Sequence, residues 1–346
     1  MGTGGAEAVL EAEEVRAYYR TRDGGEVRAV DGVTFSLAEG EVLGIAGESG
    51  CGKSTLARAL TNLFEPPLHR AGGRVRIEGE ELYAMDARRM RADVLGRRIS
   101  YVPQSAMNSL NPTRKVGRFV RDLMKTHFPQ VTARQAQDRA RERLRALSLP
   151  ERVLDGYPFA LSGGMQQRTV IMLSTLMDPT VLIADEPTSA LDVSTQKVLV
   201  AMLRDLLKRR IARSLIFITH DIVTLRHICG RIAVMYAGEI VELGTMEQVI
   251  FDPVHPYTQA LLGSVLVPEP GIRGRKLSTI PGTPPDLANL APGCRFAARC
   301  TQHDETCRAL HGELAAVNGR LVRCPRLAAK AGSDLGRSGG SREAGQ

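Results

Sequence analysis

Gly47-Glu48-Ser49-Gly50-Cys51-Gly52-Lys53-Ser54 follows the apolar run Glu41–Ala46 and continues into Lys53–Leu63, whose pattern is helical. A Gly-rich loop ending in Lys-Ser between a strand and a helix is a phosphate-binding loop. Successive backbone N–H groups of Gly47 to Lys53 are expected to wrap phosphates, with the glycines permitting close approach and positive φ. The helix beginning near Lys53 points the positive end of its dipole at the same anion. Lys53 is expected to reach the β- and γ-phosphates and Ser54 to ligate Mg²⁺. Ser49, Cys51 and Thr55 complete the nucleotide-binding set, Cys51 as a small filler at a variable position.

Further along, Val181-Leu182-Ile183-Ala184 is an apolar strand that ends on Asp185-Glu186. Asp185 is expected to hold Mg²⁺ through water, while Glu186 polarises the water that attacks the phosphate. The metal's charge keeps the first carboxylate ionised and leaves the second to accept a proton.

Around these elements, Val9–Tyr19 and Val30–Leu37 read as strands separated by the turn Asp23-Gly24-Gly25. Residues 105–177 show no strand pattern and are expected to form a helical subdomain. Within it Thr132 and Gln135 make a capping box. Ala133, Ala136, Ala140, Leu144 and Leu147 then recur at helical spacing, with the intervening arginines on the other face. Core alternation resumes at 181–184 and 215–219. After residue 252 the composition shifts to Pro, Gly and Cys, as in a small appended module over 253–327. Residues 1–7 and 328–346 are small and polar and are expected to be disordered.

At 346 residues, with 43% hydrophobic and 24% charged residues, the chain reads as a soluble globular protein of one large and one smaller domain. It lacks an apolar run of the roughly 18 residues a membrane span needs. Its start has neither a basic patch nor an apolar core, so no signal peptide is expected. The net charge of +8 raises nucleic acid as a partner, but the arginines are dispersed and there is no Trp to stack on bases. The charge is read as solvated surface, with attraction to anionic head groups beside a membrane partner as the milder alternative.

Tyr101-Val102-Pro103-Gln104-Ser105, Leu161-Ser162-Gly163-Gly164-Met165-Gln166, Ser189-Ala190-Leu191-Asp192 and His220 complete a set with the two phosphate-site motifs. Together they resemble the ABC-type ATPases, whose α/β P-loop domain has a mixed-sheet core, an antiparallel β subdomain and a helical subdomain. The resemblance implies that Gln104 senses Mg²⁺ and couples to a membrane partner. It makes 161–166 the signature motif, with Met165 where the family usually has Gln, and assigns Asp192 to the D-loop. His220 becomes the histidine that contacts the γ-phosphate, and Tyr19 stacks on adenine, with Tyr18 as competitor. In this family the signature of one subunit closes over ATP on the P-loop of another. Ser162, Gly163, Gly164 and Gln166 are therefore expected to act across an interface with a second ATPase subunit.

The stretch between P-loop and signature leaves no room for the long coiled coil of chromosome-maintenance members. A single cassette also departs from the paired cassettes of translation factors, so a soluble non-transport ATPase is the lesser alternative. His255-Pro256-Tyr257-Thr258-Gln259-Ala260-Leu261-Leu262 and Ile280–Leu287, followed by Pro292–Phe296, resemble the tail of dipeptide and oligopeptide importer ATPases. That branch implies two permease subunits, an extracytoplasmic peptide-binding protein, a related second ATPase (a heterodimer) and a peripheral place on the cytoplasmic membrane face. Nickel importers share the architecture.

Cys294, Cys300, Cys307 and Cys324 are spaced C-x5-C-x6-C-x16-C, with Pro325 after the last. Reducing cytosol disfavours disulfides, and four thiolates in a loop-rich segment suggest a metal staple. The tight pairs of a zinc site are missing, whereas four Cys followed by Pro fit a [4Fe–4S] cluster. Members of the branch carry such a pattern, with Ala298 here where Pro is usual. Zinc and unligated thiols are the alternatives.

Overall fold

The structure, a computed structural model, describes residues 7–104, 109–189, 191–264 and 279–328. The expected disorder of the two ends falls almost wholly outside these residues, as do Ser105 and Ala190.

An eight-stranded mixed sheet forms the centre. It contains β3 (Val42–Ala46), β6 (Ile99–Val102), β7 (Val181–Asp185), β8 (Ser214–Thr219), β9 (Arg231–Tyr236), β10 (Glu239–Thr245), β11 (Ala315–Val317) and β12 (Arg320–Val322). Their spatial order is β11-β12-β10-β9-β3-β8-β7-β6. From β9 to β6 the neighbours are parallel. From β9 to β11 they are antiparallel. A parallel strand covered on both faces must be apolar at nearly every position, which is why 181–184 and 215–219 stand out as continuous runs.

The side chains alternate between two cores. Leu182, Ala184, Leu215, Phe217, Ile232 and Val234 pack on one face with the helices. Val181, Ile183, Ile216, Ile218, Ala233 and Met235 pack on the other with α1 (Lys53–Leu60) and a second, four-stranded sheet. That sheet comprises β1 (Ala8–Arg20), β2 (Glu26–Ala38), β4 (Leu68–Ile77) and β5 (Glu80–Glu81), ordered β2-β1-β4-β5 and antiparallel throughout. Helix α1 stops three residues before the expected Leu63, because Asn62 turns left-handed at φ 56°.

After the single turn α2 (Ala87–Arg89), the helical side carries α3 (Val116–His127), α4 (Ala133–Ala146) and α5 (Gly163–Ser174). Among the described residues of 105–177 there is no strand. Thr132 and Gln135 close their capping box at the start of α4. One arginine departs from the expected solvent face: Arg143 is fully buried and donates to Asp178 at 2.6 Å. The helices α6 (Val193–Lys208), α7 (Ile222–Leu225), α8 (Met246–Phe251), α9 (Pro256–Gly263) and α10 (Glu305–Ala309) complete the described chain.

The C-terminal segment is not a separate lobe. Strand β12 pairs with β10 and extends the main sheet, and Tyr257, Phe296 and Cys300 lie in the helix-side core. Among the described residues, no helix is long and apolar enough to cross a membrane.

Candidate active site

Four neighbouring parallel strands, β3, β8, β7 and β6, deliver the predicted residues from their carboxyl ends, where open α/β sheets bind ligands. Strand β3 leads into loop 47–54, β8 into His220, β7 into Asp185-Glu186, and β6 into Gln104.

The loop packs against backbone as well as presenting amides. A Cβ at Gly47 would stand 2.3 Å from the Met235 carbonyl oxygen. One at Gly52, where φ is 105°, would stand 1.9 Å from that of Ala29. Lys53 is buried, and its Nζ donates to the carbonyls of Gly47 at 2.8 Å and Glu48 at 2.9 Å. Cys51 is buried, in keeping with a filler, and burial pushes its thiol pKa up. Glu48 differs from expectation. Its N–H donates to the Tyr257 hydroxyl at 2.9 Å and its carboxylate takes both arms of Arg299. Both groups of residue 48 thus face the C-terminal segment, which the loop's turn brings against them.

Asp185 is fully buried. Its Oδ2 accepts from Tyr101 at 3.0 Å, while Oδ1 has no hydrogen-bond partner among the described residues. Burial raises its pKa, against the Ser54 and Tyr101 hydroxyls, which lower it. An orphaned carboxylate oxygen beside Ser54 is the donor set that a hard, oxygen-seeking Mg²⁺ takes. Glu186 leaves the strand with φ 46°. Its Oε2 accepts from Gln104 Nε2 at 3.2 Å, and its Oε1 lies 3.2 Å from His220 Nδ1. Residues after two neighbouring strands, β6 and β8, therefore meet on the carboxylate that follows β7.

Tyr19 Oη lies 3.1 Å from the Thr55 hydroxyl, against the start of α1. Tyr18 instead donates to Asp31 at 2.6 Å, and burial followed by that carboxylate pushes its pKa up to about 12. Ser162 precedes α5 without capping it, and both Ser162 and Gly163 are exposed. Gly164 is half-buried, and Gln166 donates to the Pro158 carbonyl at 2.8 Å. No hydrogen bond among the described residues joins 162–166 to loop 47–54. Asp192 is the N-cap of α6, accepting from the N–H groups of Ser194 and Thr195. Those bonds and the two hydroxyls hold its pKa well below the carboxylate range.

The sequence alone did not mark Tyr101, Tyr257 or Arg299. Tyr101 acts at the site because it pairs with Ile183 beside the Asp185 strand end.

The family model of ABC transporters matches residues 30–189, and that of the oligopeptide/dipeptide transporter C-terminal region matches 241–307. The dipeptide transport ATP-binding protein DppD of Caldanaerobacter subterraneus subsp. tengcongensis is 40% identical over 301 residues, 87% of this chain and 91% of that one. The chain belongs to the ABC transporter ATPases, among the peptide-transport ATP-binding proteins. Another member, the oligopeptide transport ATP-binding protein OppD of Bacillus subtilis, is 42% identical over 294 residues, 84% of this chain and 81% of its own. The ATP-binding cassette MJ0796, as a dimer bound to ADP and phosphate, superposes with a TM-score of 0.61 at 26% identity, covering 68% of this chain and 98% of that one. This ABC ATPase binds and hydrolyses ATP.

Cys300, Cys307 and Cys324 are buried and Cys294 half-buried. Burial raises the Cys294 pKa to about 11, and the other three thiols add to it. Burial likewise raises Cys300 and Cys307, with Cys324 felt by both. Yet among the described residues no three His, Cys, Asp or Glu side chains are grouped to hold a metal ion.

Proposed function

We propose that this ABC ATPase is the motor subunit of an importer for di- or oligopeptides. It works at the cytoplasmic membrane face with a second, homologous ATPase subunit and two separate permeases, fed by an extracytoplasmic peptide-binding protein. The observation that carries the motor reading is the meeting of Gln104 and His220 on Glu186 beside buried Asp185. Ser54 and Asp185, with Gln104 nearby, would hold Mg²⁺, which would neutralise phosphate charge. Glu186, oriented from both sides, accepts the proton of the attacking water. Lys53 binds the phosphates and Tyr19 the adenine, and phosphoryl transfer then depends mainly on positioning. Exposed Ser162 and Gly163 at the start of α5 favour a composite site, closed by the signature of the partner ATPase.

Peptide as cargo rests on the relatives' names and on the matched C-terminal region. Uptake tests it, using cells stripped of their own peptide importers and given the complete transporter. Labelled dipeptide accumulation that Lys53→Ala abolishes is the expected result; nickel uptake without peptide uptake would overturn it.

For Cys294, Cys300, Cys307 and Cys324 we propose a [4Fe–4S] cluster rather than zinc. What supports this reading is the spacing C-x5-C-x6-C-x16-C with Pro325 directly after the last cysteine. About four irons and four sulfides per anaerobically purified chain would bear this out; zinc alone, or no metal, would refute it.

A further inference from the structure

The nucleotide loop is gripped from outside by residues some two hundred positions later. Arg299 Nη1 and Nη2 donate to Glu48 Oε2 and Oε1 at 2.7 and 3.0 Å, a two-pronged pair. The remaining guanidinium contacts fix its orientation. Nε donates to the Pro281 carbonyl at 2.8 Å, Nη1 also reaches the Tyr236 hydroxyl at 3.3 Å, and the group lies over the Tyr236 ring. The Glu48 bonds, foremost, raise the arginine's pKa, so its charge is constant at any working pH.

Residue 48 is a hub of the loop. Its carbonyl accepts both the Lys53 ammonium at 2.9 Å and the Cys51 N–H at 3.3 Å. Its own N–H is held by Tyr257. Displacing Glu48 therefore moves the resting place of the lysine that meets phosphate. A buried ion pair is weak evidence for stability, since apolar residues of similar size fill such a space as well. What the Arg299 fork supplies that they would not is a fixed orientation.

We propose that Arg299 is a positioning residue for ATP binding. Through Glu48 it sets the outer turn of loop 47–54 and the rest position of Lys53, so that the cysteine-bearing segment tunes the affinity for ATP. The inference rests on loop 47–54 being the ATP loop.

The test is ATP binding and steady-state hydrolysis by the full chain with its partner subunits. Arg299→Met is expected to weaken ATP binding and raise KM about ten-fold while kcat stays within about two-fold, the signature of lost uniform binding. Arg299→Lys is expected to recover only part of the loss, because an ammonium cannot supply the fork. Glu48→Gln combined with Arg299→Met is expected to do no more harm than Arg299→Met alone. Additive losses, a fall in kcat at unchanged affinity, or no change in either would each overturn the proposal. Should Arg299→Met fold poorly, melting of Arg299→Lys with and without ATP decides the matter. A positioning role shrinks the ATP-induced rise in Tm, whereas a merely structural one lowers both melts equally. If Lys53→Ala still bound ATP, the loop assignment itself would have failed, a distinguishable result.

Discussion

At the scale of single residues, the site depends on where polar atoms are left unsatisfied. Among the described residues Asp185 Oδ1 is buried without a hydrogen-bond partner, while Oδ2 leans on Tyr101. A buried carboxylate that loses a neutral donor keeps the desolvation cost. Tyr101→Phe is therefore expected to lower unfolding stability by roughly 1.5 kcal/mol. Urea unfolding checks this, and an unchanged midpoint would mean that the bond contributes nothing. The choice between Tyr18 and Tyr19 shows the same logic. Both are tyrosines on β1, and only their partners, Asp31 and Thr55, separate them.

At the scale of elements, caps and strand ends decide which side chains meet. Helix α9 starts at His255, which is buried and accepts the Tyr257 N–H on Nδ1 at 3.0 Å. Burial lowers the His255 pKa from 6.5 to about 4. Between those values the unfolded chain binds more protons than the native one, so stability falls as pH drops from 6.5 towards 4. The full difference is on the order of 3 kcal/mol. His255→Asn keeps a capping oxygen but cannot titrate, so its Tm is expected to fall less than the wild type's over that pH range. Parallel acid profiles would rule the mechanism out.

Element scale is also where the sequence was most and least legible. Strands 42–46, 181–185 and 214–219 announce themselves because both faces are buried. So does α4, through its capping box. Strands β9 and β10 were missed, and β10 carries the buried carboxylates Glu239 and Glu242, which break an apolar pattern. Their partners come from the later chain: Arg295 and His311 for Glu239, and Arg320 with the Val254 and His255 N–H groups for Glu242. Local pattern cannot show such compensation. Arg299 escaped for the same reason, and Glu48, expected in the nucleotide-binding loop, gave no sign of its distant partner.

At the scale of the whole molecule, the C-terminal segment is part of the ATPase body. It lengthens the main sheet through β12 and places Tyr257 and Arg299 behind the phosphate loop. Ser162 and Gly163, by contrast, stand exposed at the start of α5, and among the described residues 162–166 make no hydrogen bond to that loop. In the proposed mechanism ATP bound on one subunit is enclosed by another, and Glu186 accepts the proton of the attacking water. The measurement to make is ATP binding and turnover by Glu186→Gln in the assembled complex. Retained ATP with turnover slowed at least about a hundred-fold is the expected result; turnover at the wild-type rate would contradict Glu186 as the base.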